Sequence, residues 1–174
     1  MGDLLYNFTE WLRGTQLVEL AFWISETPLS LWIVTHFWAI PTIQTLHILA
    51  IAGLFGSVLM VNLRVLGLIG GHRSLAQTAA RFMPWIRWSL LALLVTGLLL
   101  IVGEPIRELI NPVFWVKMGL VVVTAVISMM FNRKVATVEA SGTSAASLRG
   151  GAVLLIVLWC AIMAGGRWIA YAPV

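Results

Sequence analysis

Few residues in this 174-residue chain could carry chemistry, and His47 is the most informative of them. It lies in a long apolar run, where a neutral imidazole is a common ligand of haem iron or copper. Lys117 and Arg167 are cations within other apolar runs and could meet haem propionates or another anionic group. The second axial ligand stays open between Met163, Lys117, water and the His47 of a second copy. These residues predict a haem b site with His47 as the metal ligand.

Two other interpretations of the same residues remain open. Soft ligands suit Cu(I), so His47, Met163 and Cys160 could instead form a copper-handling site, although Cys160 and His47 are expected at different depths. In the third interpretation the protein is a cofactor-free structural membrane subunit, whose polar residues only hold helices together. The sequence contains no CxxCH, HExxH, phosphate-binding glycine loop or Ser/His/Asp arrangement. No enzymatic reaction is therefore assigned.

The composition predicts that membrane helices position these residues. Hydrophobic residues make up 60% of the chain and charged residues only 10%, whereas a soluble domain has roughly 25% charged residues. A water-soluble monomer is therefore excluded, and the lipid bilayer is the first partner. Four apolar runs are long enough to span it, at about residues 41–63, 85–103, 112–131 and 152–171. The basic residues are scattered rather than gathered on one face, so nucleic acid is not expected, whereas a homo-oligomer or a membrane redox partner is.

The predicted fold is an all-α integral membrane protein, with N-terminal interfacial helices over residues 1–40 and a four-helix transmembrane bundle over 41–174. Residues 3–26 mix acids with Leu, Phe and Trp, which is typical of an amphipathic helix on the membrane surface. Thr27-Pro28 predicts the N-cap of a second interfacial helix over 28–39, too short to cross.

Two further caps are visible in the sequence. Ser74 and Gln77 have the spacing of a capping box, which predicts a short surface helix over 75–82 before the second span. Asn111, just before Pro112, is a plausible N-cap for the third span.

The loop charges predict the orientation. Lys and Arg exceed Asp and Glu between spans one and two and between spans three and four. The acids exceed them before residue 41 and between spans two and three. By the positive-inside rule, the protein lies in a bacterial inner membrane with both termini outside the cytoplasm. His47, Lys117, Arg167 and Glu104 then share the outer half of the bundle.

Each predicted span also carries one stripe of small or polar residues, which indicates that the four helices close around these stripes. The stripes comprise Gln44, His47, Leu54, Val58 and Asn62; Ser89, Ala92, Thr96 and Gly103; Lys117, Thr124 and Ser128; and Cys160, Met163, Arg167 and Tyr171.

A set of motifs resembles those of small bacterial four-span membrane proteins of unknown function. In the first span they are Trp38-Ala-Ile-Pro41, Gln44-Thr-Leu-His47-Ile, Gly56-Ser57 and Asn62-Leu-Arg64-Val-Leu-Gly67. In the third and fourth spans they are Asn111-Pro112-x-Phe114-x-x-Lys117 and Gly166-Arg167-Trp168-Ile169-Ala170-Tyr171. The resemblance covers about residues 38–171 and implies a four-span architecture. Asn62 stands where that group often has Asp.

A looser resemblance concerns metal-handling families. His47, Lys117 early in the third span and Asn132-Arg133 at its end are similar to copper-resistance D-type membrane proteins. His47 and Lys117 also resemble the corresponding residues of HemJ-type protoporphyrinogen oxidases, which use a membrane haem. These resemblances imply copper or haem as the ligand.

Overall fold

The computed structural model describes the backbone of residues 2–70, 72–137 and 145–168, and the side chains of 6–70, 72–137 and 146–166. This described part of the chain is helical and contains no strand. The helices are α1 (Gly2–Arg13), α2 (Leu17–Ser25), α3 (Pro28–Thr35), α4 (Ala39–Val65), α5 (Leu75–Gly103), α6 (Pro105–Leu109), α7 (Pro112–Thr137) and α8 (Arg149–Trp168), with a 3₁₀ turn at Ala145–Leu148 before α8.

Four of these helical segments are long and apolar enough to cross a membrane: Ala39–Val65, Leu75–Gly103, Pro112–Thr137 and Ala146–Gly166. The predicted all-α, four-span class is therefore confirmed. The predicted fourth span ran to residue 171, and its last residues lie outside the described ones. Helices α2 and α3 meet at a bend of 65° and together are also long and apolar enough for a broken fifth crossing. Their placement along the membrane surface stays a prediction.

The N-terminal region differs from its prediction because a break divides it. Instead of one helix over 3–26, α1 ends at Arg13 and α2 begins at Leu17. The Thr15 hydroxyl donates to the Leu12 carbonyl at 2.6 Å and accepts from the Leu17 amide at 3.3 Å, which replaces helical hydrogen bonds. The predicted cap at Thr27 is confirmed, since its side chain accepts from the Ser30 amide. Helix α3 ends at Thr35, short of residue 39.

Helix α5 is one continuous helix where the sequence predicted two elements. The capping box is confirmed, with the Gln77 amide 3.1 Å from Ser74 Oγ and the Ser74 amide 3.2 Å from Gln77 Oε1. The helix does not stop before Pro84, however, and runs through it. Pro84 has no backbone N–H and so cannot donate the helical hydrogen bond at its position. Ala79 and Ile86, on either side of it, are buried, and this packing favours a continuous helix despite the missing hydrogen bond.

The chain divides into two compact units, and all four long helices contribute to both. The His47 unit comprises Met1–Leu49, Ala92–Gly119 and Ala164–Val174, and the Asn62 unit comprises Ala50–Leu91 and Leu120–Met163. In the His47 unit, α2 packs against α6, and the buried apolar cluster is Ala21, Leu109 and Phe114. The larger cluster of the Asn62 unit is Val61, Val65, Leu75, Ala79, Phe131, Val135, Ala152 and Leu155.

Two glycines of the Asn62 unit permit close approach between helices. A Cβ on Gly53 would lie 2.8 Å from Ser89 Oγ, so no side chain fits there unless the Ser89 hydroxyl moves. A Cβ on Gly151 would lie 2.8 Å from Cε2 of Phe131. Small residues at such contacts let membrane helices pack by van der Waals contact, since lipid supplies no hydrophobic driving force between them.

Most described residues of the predicted stripes are buried or half-buried. Leu54, Val58, Asn62, Ser89, Thr96, Gly103, Thr124 and Ser128 are buried, and His47, Lys117 and Met163 are half-buried. Gln44, Ala92 and Cys160 are exposed, so their inward placement was wrong. Helix α8 buries Leu155, Trp159 and Ile162 instead, which turns Cys160 away from the other helices. Tyr171 and the side chain of Arg167 lie outside the described residues.

Candidate functional site

His47 of α4 is held by a hydrogen bond to α5. Its Nδ1 lies 2.7 Å from Thr96 Oγ1, and Thr96 Oγ1 lies 2.6 Å from the Ala92 carbonyl oxygen. A carbonyl oxygen only accepts, so the single hydroxyl proton of Thr96 is donated to Ala92. Thr96 must then accept from His47, which places the ring proton on Nδ1. In the neutral imidazole, this arrangement leaves the lone pair on Nε2.

The Nε2 of the ring has no hydrogen-bond partner among the described residues. His47 is half-buried, and among the described residues its side chain makes no hydrogen bond besides the one to Thr96. Gly97 lies beside Cε1, the atom between the two ring nitrogens, and a Cβ at Gly97 would be 3.6 Å from it. Glycine at this position therefore places no side chain of its own against the Cε1 atom. The exposed residues before and after His47, Leu46 and Ile48, are apolar.

Lys117 of α7 brings a positive charge to the same unit. Its Nζ lies 5.8 Å from the centroid of the Phe114 ring, one turn earlier on α7. Its stem passes Gly166 of α8, where a Cβ would be 3.8 Å from the Lys117 Cδ. No carboxylate lies within 4.0 Å of Nζ in the described ranges, although Lys117 interacts electrostatically with both His47 and Glu108. The ammonium is therefore available to an anionic ligand.

Glu108 is a part of this site that the sequence did not single out. It lies on α6 and is half-buried. Burial raises the pKa of its carboxyl above the usual value, Lys117 and Arg107 act in the opposite direction, and Glu104 adds to the rise. Glu104 itself forms an ion pair with Arg107 at 2.7 Å. The surrounding sequence, Pro-Ile-Arg-Glu-Leu, gives no sign that this short connection folds back as a helix against α2.

The structure thus brings together two of the four candidate site residues, His47 and Lys117, within one unit. Arg167 belongs to α8, but its side chain is outside the described residues, and Met163 belongs to the Asn62 unit. The described residues contain no group of three or more His, Cys, Asp or Glu that could hold a metal ion. A metal bound through His47 would therefore need most of its ligands from elsewhere, as a porphyrin supplies.

Comparison with known proteins supports the architecture rather than the chemistry. No curated protein and no solved structure matches the chain significantly. Neither the copper-resistance D-type nor the HemJ-type resemblance gains support from these comparisons. A family model does match residues 22–172, which covers all four membrane-spanning helices and the site described above. The chain therefore belongs to DUF6644, a family of unknown function.

Proposed function

We propose that this membrane protein binds haem b through the Nε2 of His47 and takes part in electron transfer. The observation that carries the proposal is the chain of hydrogen bonds from His47 Nδ1 through Thr96 to the Ala92 carbonyl. Histidine ligands of metals commonly donate their second ring N–H in this way, which fixes the tautomer and the ring orientation. The same chain leaves Nε2 as the free electron-pair donor.

The residues around His47 suit haem better than a copper ion. A porphyrin brings four nitrogen ligands of its own, so one imidazole is enough to attach it. Its apolar faces match the apolar surface beside His47, and its propionates match the unpaired ammonium of Lys117. The copper alternative needs His47, Met163 and Cys160 together, and the thiol of Cys160 is exposed on α8.

The absorbance spectrum of the purified protein, expressed with ample haem and copper, tests this proposal. A Soret band that copurifies in constant ratio to the protein supports it. A colourless sample that contains copper favours the copper-handling alternative and contradicts haem. If the purified protein binds neither haem nor copper, the structural-subunit interpretation is favoured, in which the polar residues only hold helices together.

Thr96→Val is expected to weaken haem binding by about 10- to 100-fold while leaving a Soret band at high haem concentration. Valine keeps the shape of threonine but removes the acceptor for the Nδ1 proton, so the imidazole loses its fixed orientation. Haem titration followed by absorbance gives the affinity. The matched control is Thr124→Val, because the Thr124 hydroxyl is fully buried and has no hydrogen-bond partner among the residues that the structure describes. Equal affinities of the two variants would contradict the proposed role of Thr96.

The same proposal places the protein in a bacterial inner membrane, with both termini outside the cytoplasm. The excess of Arg and Lys in the loops after the first and third spans supports this orientation. A reporter active only in the cytoplasm should give signal when fused after Ser144 and none when fused after Val174. The reverse pattern would put His47 and Lys117 at the cytoplasmic side.

A further inference from the structure

An open groove of about 370 Å³ lies on the surface of the Asn62 unit, far along the chain from His47. It is lined by Pro84, Arg87, Trp88 and Leu91, which share one face of α5 because they are spaced at i, i+3, i+4 and i+7. No residue of the proposed haem site lines it.

The groove offers two hydrogen-bond donors that are not in use. The Arg87 guanidinium is exposed and has no hydrogen bond or ion pair in the part of the chain that the structure describes. Trp88 is 70% exposed, and its indole N–H makes no hydrogen bond within the described residues. Arg64 shows the contrast, since its guanidinium donates twice to the Arg73 carbonyl.

The charge around the groove is positive and uncompensated along the chain. The sequence has no Asp or Glu between Glu26 and Glu104, whereas four arginines lie in that interval: Arg64, Arg73, Arg81 and Arg87. Negative charge must therefore come from a group outside this part of the chain.

The position of the groove on α5 indicates the membrane interface. Trp85 and Trp88 are both largely exposed, and tryptophan is enriched at the level of the lipid headgroups. Below them the face of α5 becomes apolar, with exposed Leu91 and Leu94. The Arg87 cation and the Trp88 indole N–H thus lie next to an apolar stretch of the α5 surface.

We propose that this groove binds an anionic phospholipid. Its phosphate accepts hydrogen bonds from the Arg87 guanidinium and the Trp88 indole N–H, and its first acyl methylenes lie along Leu91. A guanidinium suits phosphate because it donates in a planar fork. The negative headgroup supplies the charge that this part of the sequence lacks.

The test measures phospholipid binding to detergent-purified protein by native mass spectrometry, with thermal unfolding as the second readout. Phosphatidylglycerol should bind and raise the unfolding temperature more than phosphatidylcholine does. Arg87→Gln should lower the phosphatidylglycerol affinity at least about tenfold, which exceeds the roughly fivefold contribution of one surface cation to non-specific attraction. Arg81→Gln is the matched control, because Arg81 is an exposed arginine of α5 outside the groove.

Leu91→Trp provides an independent check, since it keeps every cation but fills the groove, and it should reduce the phosphatidylglycerol affinity as Arg87→Gln does. Equal losses in the two arginine variants would show non-specific attraction and overturn the site. Equal binding of the two lipids would also overturn it, as would stabilisation by inorganic phosphate equal to that by phosphatidylglycerol. The Soret band of all three variants should match that of the unaltered protein.

Discussion

His47→Ala is expected to abolish haem binding and with it the whole Soret band. The substitution removes the proposed protein ligand of the iron, and the described residues contain no group of three or more His, Cys, Asp or Glu that could hold a metal ion in its place. The fold should survive, because His47 is only half-buried and makes a single hydrogen bond to Thr96. Far-ultraviolet circular dichroism and the haem absorbance, measured on the same sample, separate loss of ligand from loss of structure.

Two other variants sharpen this result. His36→Ala should keep the Soret band, because the His36 ring is already engaged with the Trp32 carbonyl at 2.7 Å and with the Trp32 ring. Lys117→Met should keep the band but bind haem more weakly, since methionine retains most of the stem and loses the charge. Haem that stays bound to His47→Ala with an unchanged spectrum would refute His47 as the ligand and direct attention to His36 or Met163.

Gly151→Val is expected to lower the free energy of unfolding by about 1–3 kcal/mol, the usual cost of overpacking. A Cβ at this position would lie 2.8 Å from Cε2 and 3.1 Å from Cδ2 of Phe131, so the ring or the helices must move. Phe131 belongs to the main apolar cluster of the Asn62 unit, where α4, α5, α7 and α8 all contribute residues. The loss should appear as a fall of several degrees in the unfolding temperature in detergent.

The neighbouring glycine supplies the control for this prediction. A Cβ at Gly150 would meet no atom within 4 Å, so Gly150→Val introduces the same side chain one residue earlier without the clash. It should leave the unfolding temperature unchanged or raise it, because valine forms helices better than glycine. Phe131→Leu should recover part of the loss when combined with Gly151→Val. Equal destabilisation at both glycines would place the cost in the helix backbone rather than in the contact with Phe131.

Local patterns in the sequence predicted local structure well. The caps at Thr27, Ser74 and Asn111 depend on side chains within three residues of the amides they accept from, and all three are present. The four spans followed from apolar length alone. The break at Thr15 was missed because the mixture of acids with Leu, Phe and Trp continues on both sides of it, although Gly14 and Thr15 are themselves poor helix formers. The continuity of α5 through Pro84 was missed because it depends on packing against other helices.

For the candidate site too, the sequence predicted individual residues better than the contacts between helices. His47 and Lys117 were recognisable because ionisable residues are rare and functional within apolar runs. The partner of His47 was not, since Thr96 is 49 residues away and its role depends on the rotation of α5. Cys160 failed as an inward residue because small and polar side chains alone define the rotation of α8 poorly, whereas Trp159 and Leu155 bury more surface on the adjoining face.

The hydrogen bond from His47 to Thr96 has a consequence for how the site responds to a change of charge. The Nδ1–H donates to the Thr96 oxygen whether Nε2 holds a lone pair, a proton or a metal ion. The ring therefore does not rotate, and the Thr96 hydroxyl does not reverse, when the state of Nε2 changes. Dipoles that are already oriented need not be reorganised during a reaction. In the proposed haem complex, this hydrogen bond would therefore add little to the reorganisation energy at Nε2, which suits the proposed electron transfer.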